Sequence, residues 1–138
     1  MRKKRGLLNV RWSKNMQLID ANVMLRYLLN DVPEMAQQAK AVVDAGAYTR
    51  PEIIAEVVYV LKGVYHVSKE DIRTYIRQIL REVRCTETNA VLYAVDLYAS
   101  VSLDFVDCLL VAYHVLQGED VFTFDKKLTK YLREPPIQ

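Results

Sequence analysis

Four acidic residues stand where a chain normally avoids charge, at the borders of its most apolar segments. Asp20 follows residues 16–19, Glu56 interrupts 53–61, Asp107 opens the run 108–116, and Asp125 follows 121–124. This limits what the chain can fold into. Two carboxylates about 4 Å apart repel by roughly 4 kcal/mol at an effective dielectric near 20. Four can share one site only if something positive is shared between them. No matching His or Cys set accompanies them, so an oxygen-only donor set points to a hard cation, Mg²⁺ or Mn²⁺, rather than zinc.

The segments between these acids alternate in character. Residues 16–20 are short, apolar and end at Asp, as a strand would. From Asn22 to Asn30 the apolar positions Val23, Met24, Tyr27 and Leu28 recur at helical spacing. Pro33 breaks that helix, and a second runs over 34–45 until Gly46. Residues 47–49 read as a short strand, and Pro51 opens a helix through Lys62, its missing amide proton costing nothing there. Ser68 and Asp71 resemble a capping box that starts a helix to Val83. A strand over 83–87, a helix over 89–99 and a helix over 103–117, capped by Ser102 and ended by Gly118, follow. The apolar, aromatic residues 121–124 read as a buried strand. A short helix over 126–132 completes the series.

Short strands alternating with longer helices predict an α/β fold with a mainly parallel central sheet. Ligands of such sheets collect beyond the carboxyl ends of the strands. Asp20 and Asp125 fall at predicted strand ends, and Glu56 and Asp107 in the first turns of predicted helices, where the dipole favours an anion.

At 138 residues the chain suits one domain. Its formal charge of +2 misleads, because six of the 19 basic residues lie in the first 14 positions, which hold no acid; the 13 remaining basic residues face all 17 acidic ones. The body is therefore acidic, and net charge gives no argument for nucleic-acid binding. We expect residues 1–15 to be a disordered or non-native extension, 16–132 to be the domain, and 133–138 a frayed tail; Met16 is a plausible start. No secretory signal and no run of about 18 apolar residues is present, which predicts a cytoplasmic protein. Cys85 and Cys108 lack metal-ligand spacing and read as buried thiols.

Four motifs in order resemble the PIN-domain family, specifically the VapC-type toxins of toxin–antitoxin pairs. They are Leu18-Ile19-Asp20-Ala21-Asn22-Val23, the helix from Pro51 to Leu61 holding Glu56, Leu103-Asp104-Phe105-Val106-Asp107-Cys108-Leu109-Leu110 with Ala112 after it, and Val121-Phe122-Thr123-Phe124-Asp125. The resemblance covers about 16–132. It implies a PIN-like α/β/α sandwich and a metal-dependent endoribonuclease that leaves a 5′-phosphate through metal-activated water. It also implies an acidic site of Asp20, Glu56, Asp107 and Asp125, supported by Asn22 and Thr123, with Asp20, Asp107 and Asp125 as metal ligands. Further implications are an RNA substrate, a homodimer and a cognate antitoxin.

Each acid has a plainer use. Asp20 and Asp125 could simply cap the helices that follow them. Glu52 competes with Glu56 at i,i+4, and Asp104 with Asp107 at i,i+3; the apolar flanks favour Glu56 and Asp107. Lys126, Lys127, Lys130, Arg26 and Arg50 could guide phosphates or be a solvated face. Tyr59, Tyr75, Tyr93 and Tyr113 read as core-facing, Tyr27 and Leu28 as a possible partner surface, and His114 as a packed or hydrogen-bonded residue. The reading from another class is a degenerate PIN-like module that binds RNA or protein without cleaving it.

Overall fold

The computed structural model describes Trp12 and residues 15–136. Its elements are β1 (Gln17–Leu18), α1 (Ala21–Leu29), α2 (Pro33–Gly46), β2 (Ala47–Thr49), α3 (Pro51–Gly63), α4 (Lys69–Ile79), β3 (Arg84–Cys85), α5 (Thr88–Ser100), α6 (Phe105–Gln117) and α7 (Lys126–Arg133). This is a helix-rich α/β fold around a small parallel sheet of order β1-β2-β3. Gln17 lies opposite Ala47 and Tyr48 opposite Arg84. Parallel neighbours need long crossovers, and helix pairs supply them: α1 and α2 join β1 to β2, and α3 and α4 join β2 to β3.

Strands this short bury little by themselves, so the helices make the core. In α3 the buried positions Ile54, Val57, Val58 and Leu61 follow the i, i+3, i+4, i+7 rhythm of one face. Helix α5 is buried nearly all round, through Val91, Ala94, Val95 and Leu97, and its most extensive partner is α6. Cys85 and Cys108 are free and buried, and burial pushes both thiols up to about 12. They are small apolar fillers, as expected.

The helix starts follow local chemistry. Asp20 caps α1 by accepting from the Val23 amide at 3.0 Å, Ser68 caps α4 through the Asp71 amide at 3.1 Å, and Asp125 caps α7 through the Leu128 amide at 2.9 Å. Pro51 stands in the first turn of α3, and Gly118 ends α6 in the left-handed region at φ 70°.

Several expectations are corrected. Residues 121–124 pair with no strand among the described residues, and Phe122 and Phe124 are 82% and 91% exposed. The apolar alternation is real, with Val121 and Thr123 half-buried. However, the Thr123 hydroxyl accepts the Asp125 amide at 3.0 Å and the chain turns into α7, a local bond that competes with strand pairing. Helix α4 stops at Ile79 rather than Val83, and β3 keeps only two of the five residues expected. Asp104, not Ser102, stands at the cap of α6. Tyr59 is 77% exposed rather than core-facing, whereas Tyr93 is buried.

Of the expected extension over 1–15, only Trp12 and Asn15 fall within the described residues. Trp12 meets the Tyr48 ring edge-on at 5.2 Å, and the Arg84 guanidinium lies 5.3 Å over the indole. Of the tail, residues 137 and 138 lie outside the described part.

Ile76, fully buried on α4, tests the helical core. Ile76→Ala is expected to cost about 2–5 kcal/mol of unfolding free energy, read as a lower urea midpoint at unchanged slope. A loss below 1 kcal/mol would show that α4 packs more loosely than described.

Candidate active site

The acids enter through different elements. Asp20 follows β1 and caps α1, Glu56 lies in the second turn of α3, Asp107 in the first turn of α6, and Asp125 caps α7. Asp107 is the half-buried one. Burial raises its carboxyl above the ordinary 3.8, and the Asp104 and Asp125 charges raise it further. The structure therefore brings Asp104, Asp107 and Asp125 within electrostatic reach of one another.

Asp20 and Glu56 are not among the charges that act on Asp107. Among the described residues no three His, Cys, Asp or Glu side chains stand close enough to hold a metal ion. Glu56 is exposed between Ala55 and Tyr59, two positions that line a cleft of about 500 Å³ reaching Asp104 and Asp107. Glu52 acts on Cys85 and Tyr113 instead, away from Asp107. Asn22 is exposed at the start of α1, and Thr123 holds the turn that presents Asp125.

The donor set fits a hard cation in kind. It is all oxygen, and the half-buried Asp107 has neighbouring charge of its own sign, which a cation would relieve. In their capping bonds Asp20 and Asp125 each use one oxygen, Oδ1, which leaves the other for a ligand.

Two lysines that sequence reasoning treats differently, or passes over, hold this corner. Lys69 Nζ donates to the carbonyls of Val101 (2.8 Å) and Leu103 (3.2 Å) and lies 4.4 Å over the Tyr98 ring; burial lowers its pKa. Lys127 Nζ donates to the Ser102 carbonyl (2.9 Å) and hydroxyl (3.1 Å). The turn before α6 is thus clasped from α4 and from α7. A readable signal exists: both lysines occupy the first turn of a helix, where the dipole disfavours a cation.

The other expected phosphate guides divide. Arg26 is bonded to Asp31 and Tyr65, and Lys127 to Ser102. Lys126, Lys130 and Arg133 line a shallow depression on α7, and Arg50 lies over the Tyr48 ring. His114 Nδ1 is 2.8 Å from the Glu119 carbonyl, the hydrogen-bonded role expected of it. Tyr27 donates to Glu82 from a half-buried position, tying α1 to the turn after α4.

Residues 18–133 match the family model for the PIN domain, and the chain belongs to that family. No curated protein and no solved structure matches it. PIN domains are generally nucleases, which supports a nuclease reading of this site. No helix among the described residues is long and apolar enough to cross a membrane.

The raised Asp107 carboxyl gives a signed expectation. An acid whose folded pKa lies above its unfolded value lowers stability once pH exceeds both, because the unfolded state gives up the proton more readily. Asp107→Asn should therefore raise the melting temperature of the metal-free protein at pH 7. The gain should shrink as pH falls and vanish below 3.8, where both states hold the proton. A variant less stable than wild type at pH 7 would show that the carboxylate is held by bonds that outweigh its burial.

Proposed function

We propose that the chain is a divalent-metal-dependent endoribonuclease, the toxin of a toxin–antitoxin pair of the VapC type. The observation that carries the reading is Asp107, half-buried at the start of α6 beside the Asp104 and Asp125 charges, within a PIN domain. In this reading Asp20, Asp107 and Asp125 hold Mg²⁺ or Mn²⁺. When bound, the ion would supply Lewis acidity, lowering the pKa of a coordinated water and drawing charge from the phosphate oxygens.

The chain's own residues do the rest. Glu56, exposed on α3, orients the attacking water and takes its proton. Thr123 fixes the turn that aims Asp125, and Asn22 supports the Asp20 side from the start of α1. Lys126 and Lys130 offer ammonium groups to RNA phosphates. A homodimer, a cognate antitoxin that covers the site and a cytoplasmic setting belong to the same proposal. So does the division into an extension over 1–15, a domain over 16–132 and a tail over 133–138.

One observation favours a second reading. No three of the described acids stand close enough to hold an ion, as in a degenerate module that binds RNA or protein without cleaving it.

Incubating an end-labelled RNA pool with Mg²⁺ or Mn²⁺, against EDTA, separates the two. Asp20→Asn and Asp107→Asn are each expected to lower metal-dependent cleavage by about 100-fold or more, with the fold retained by circular dichroism. Undiminished cleavage by either variant would remove that residue from the site. RNA binding without cleavage under either metal would favour the binding module.

A further inference from the structure

The cleft of about 500 Å³ between α3 and the start of α6 is of the size that takes a small ligand; the reaction proposed above uses Asp107 on its wall and leaves the rest of the lining unassigned. Tyr59, Tyr98 and Phe105 give it aromatic walls, Lys62 is the cation on its lining, and Asp104 and Asp107 are its acids. Tyr59 stands largely in water at this rim. A large aromatic left exposed beside a reactive site suits a planar partner better than it suits folding.

Asp104 is the second departure from economy. It occupies the cap of α6 with extended backbone angles (φ −68°, ψ 158°), yet its side chain accepts no bond from the helix. Asp20, Ser68 and Asp125 all make that bond at their own helices. The Asp104 carboxylate is therefore not spent on its own helix, and it lines the cleft. A partner that fits must combine a flat ring for Tyr59, adjacent N–H donors for Asp104 and a negative group for Lys62.

We propose that this cleft is a nucleobase subsite selecting an unpaired guanine next to the scissile phosphate, with Asp104 as its hydrogen-bond acceptor and Tyr59 as its stacking wall. The inference rests on the ribonuclease reading and deepens it. Guanine is the base whose Watson–Crick edge offers two parallel donors, N1–H and the 2-amino group, to the two oxygens of one carboxylate. Adenine and cytosine place a lone pair beside their amino group, and uracil flanks its N3–H with two carbonyls, so each brings an acceptor against Asp104. Unpaired bases are read on this edge and stacked on aromatic rings in single-stranded RNA recognition, and each stack adds to affinity without choosing the base.

The test uses short single-stranded RNAs, uridine throughout except for one nucleotide that is guanosine, inosine, adenosine or cytidine. Cleavage with Mn²⁺ and fluorescence-anisotropy binding in EDTA are both measured. Guanosine is expected to exceed adenosine by about 10- to 100-fold, and inosine, which lacks the 2-amino group, to fall between. Asp104→Asn should abolish the preference. Tyr59→Ala should weaken binding of every RNA while keeping the ratio between bases. Cleavage with no base preference, or a preference untouched by Asp104→Asn, overturns the subsite and leaves the ribonuclease reading standing. Guanosine-selective binding lost in Asp104→Asn, with no cleavage, supports the subsite and overturns the reaction. Absence of both binding and cleavage overturns both.

Discussion

The turn over residues 101–104, between the two most closely packed helices, is the constraint on which the acidic corner depends. Helix α5 is too buried to move alone, and Tyr98 at its end meets Phe105 at the start of α6 edge-on, with ring centres 6.0 Å apart. Lys69 and Lys127 donate to three carbonyls of this turn, from α4 and α7. Hydrogen bonds with a charged donor are worth about 1.5–3 kcal/mol, against a few tenths to 1 kcal/mol for a cation in a helix's first turn. The clasp wins. Because Lys127 and Asp125 share α7, whatever fixes the turn before Asp107 also fixes the approach of Asp125.

The same magnitudes bear on how the acids are arranged. A helix N-terminus relieves a carboxylate by about 0.3–1 kcal/mol, while one close pair repels by roughly 4 kcal/mol at an effective dielectric near 20. Dipoles at α1, α6 and α7 therefore cover only part of the repulsion among four gathered acids. The described structure accords with that inequality: Asp107 lies within electrostatic reach of Asp104 and Asp125, while Asp20 is occupied at its own helix start. Capping and ligation are compatible uses of one side chain, since a cap uses one oxygen of two.

Much of the fold could be read from the sequence because its signals are local. Pro51 at a helix start, Gly118 at a helix end, the Ser68 cap and the 3.6-residue rhythm of α1 and α3 act within a few residues. The segment 121–124 could not, because alternation records which side chains face inward and not whether a strand lies alongside to take the backbone bonds. Glu52 and Glu56 show the same limit: helical spacing puts them on one face, but only the fold shows that Glu52 acts on Cys85 and Tyr113. The first-turn position of Lys69 is a readable oddity, but its partners are not. Its partners are backbone carbonyls 32 and 34 residues away, and carbonyls carry no mark in a sequence.

Asp104 and Asp107 show how one helix start can supply two different acids. They stand three residues apart, at the cap and in the first turn of α6, under the same dipole. What separates them is water. Asp107 is half-buried, so its charge is costly and a shared cation is the natural relief. Asp104 is exposed and makes no cap bond, so it can serve as an acceptor for neutral N–H donors. Two carboxylates set apart by environment commonly take different roles, and these two stand on the wall of one cleft.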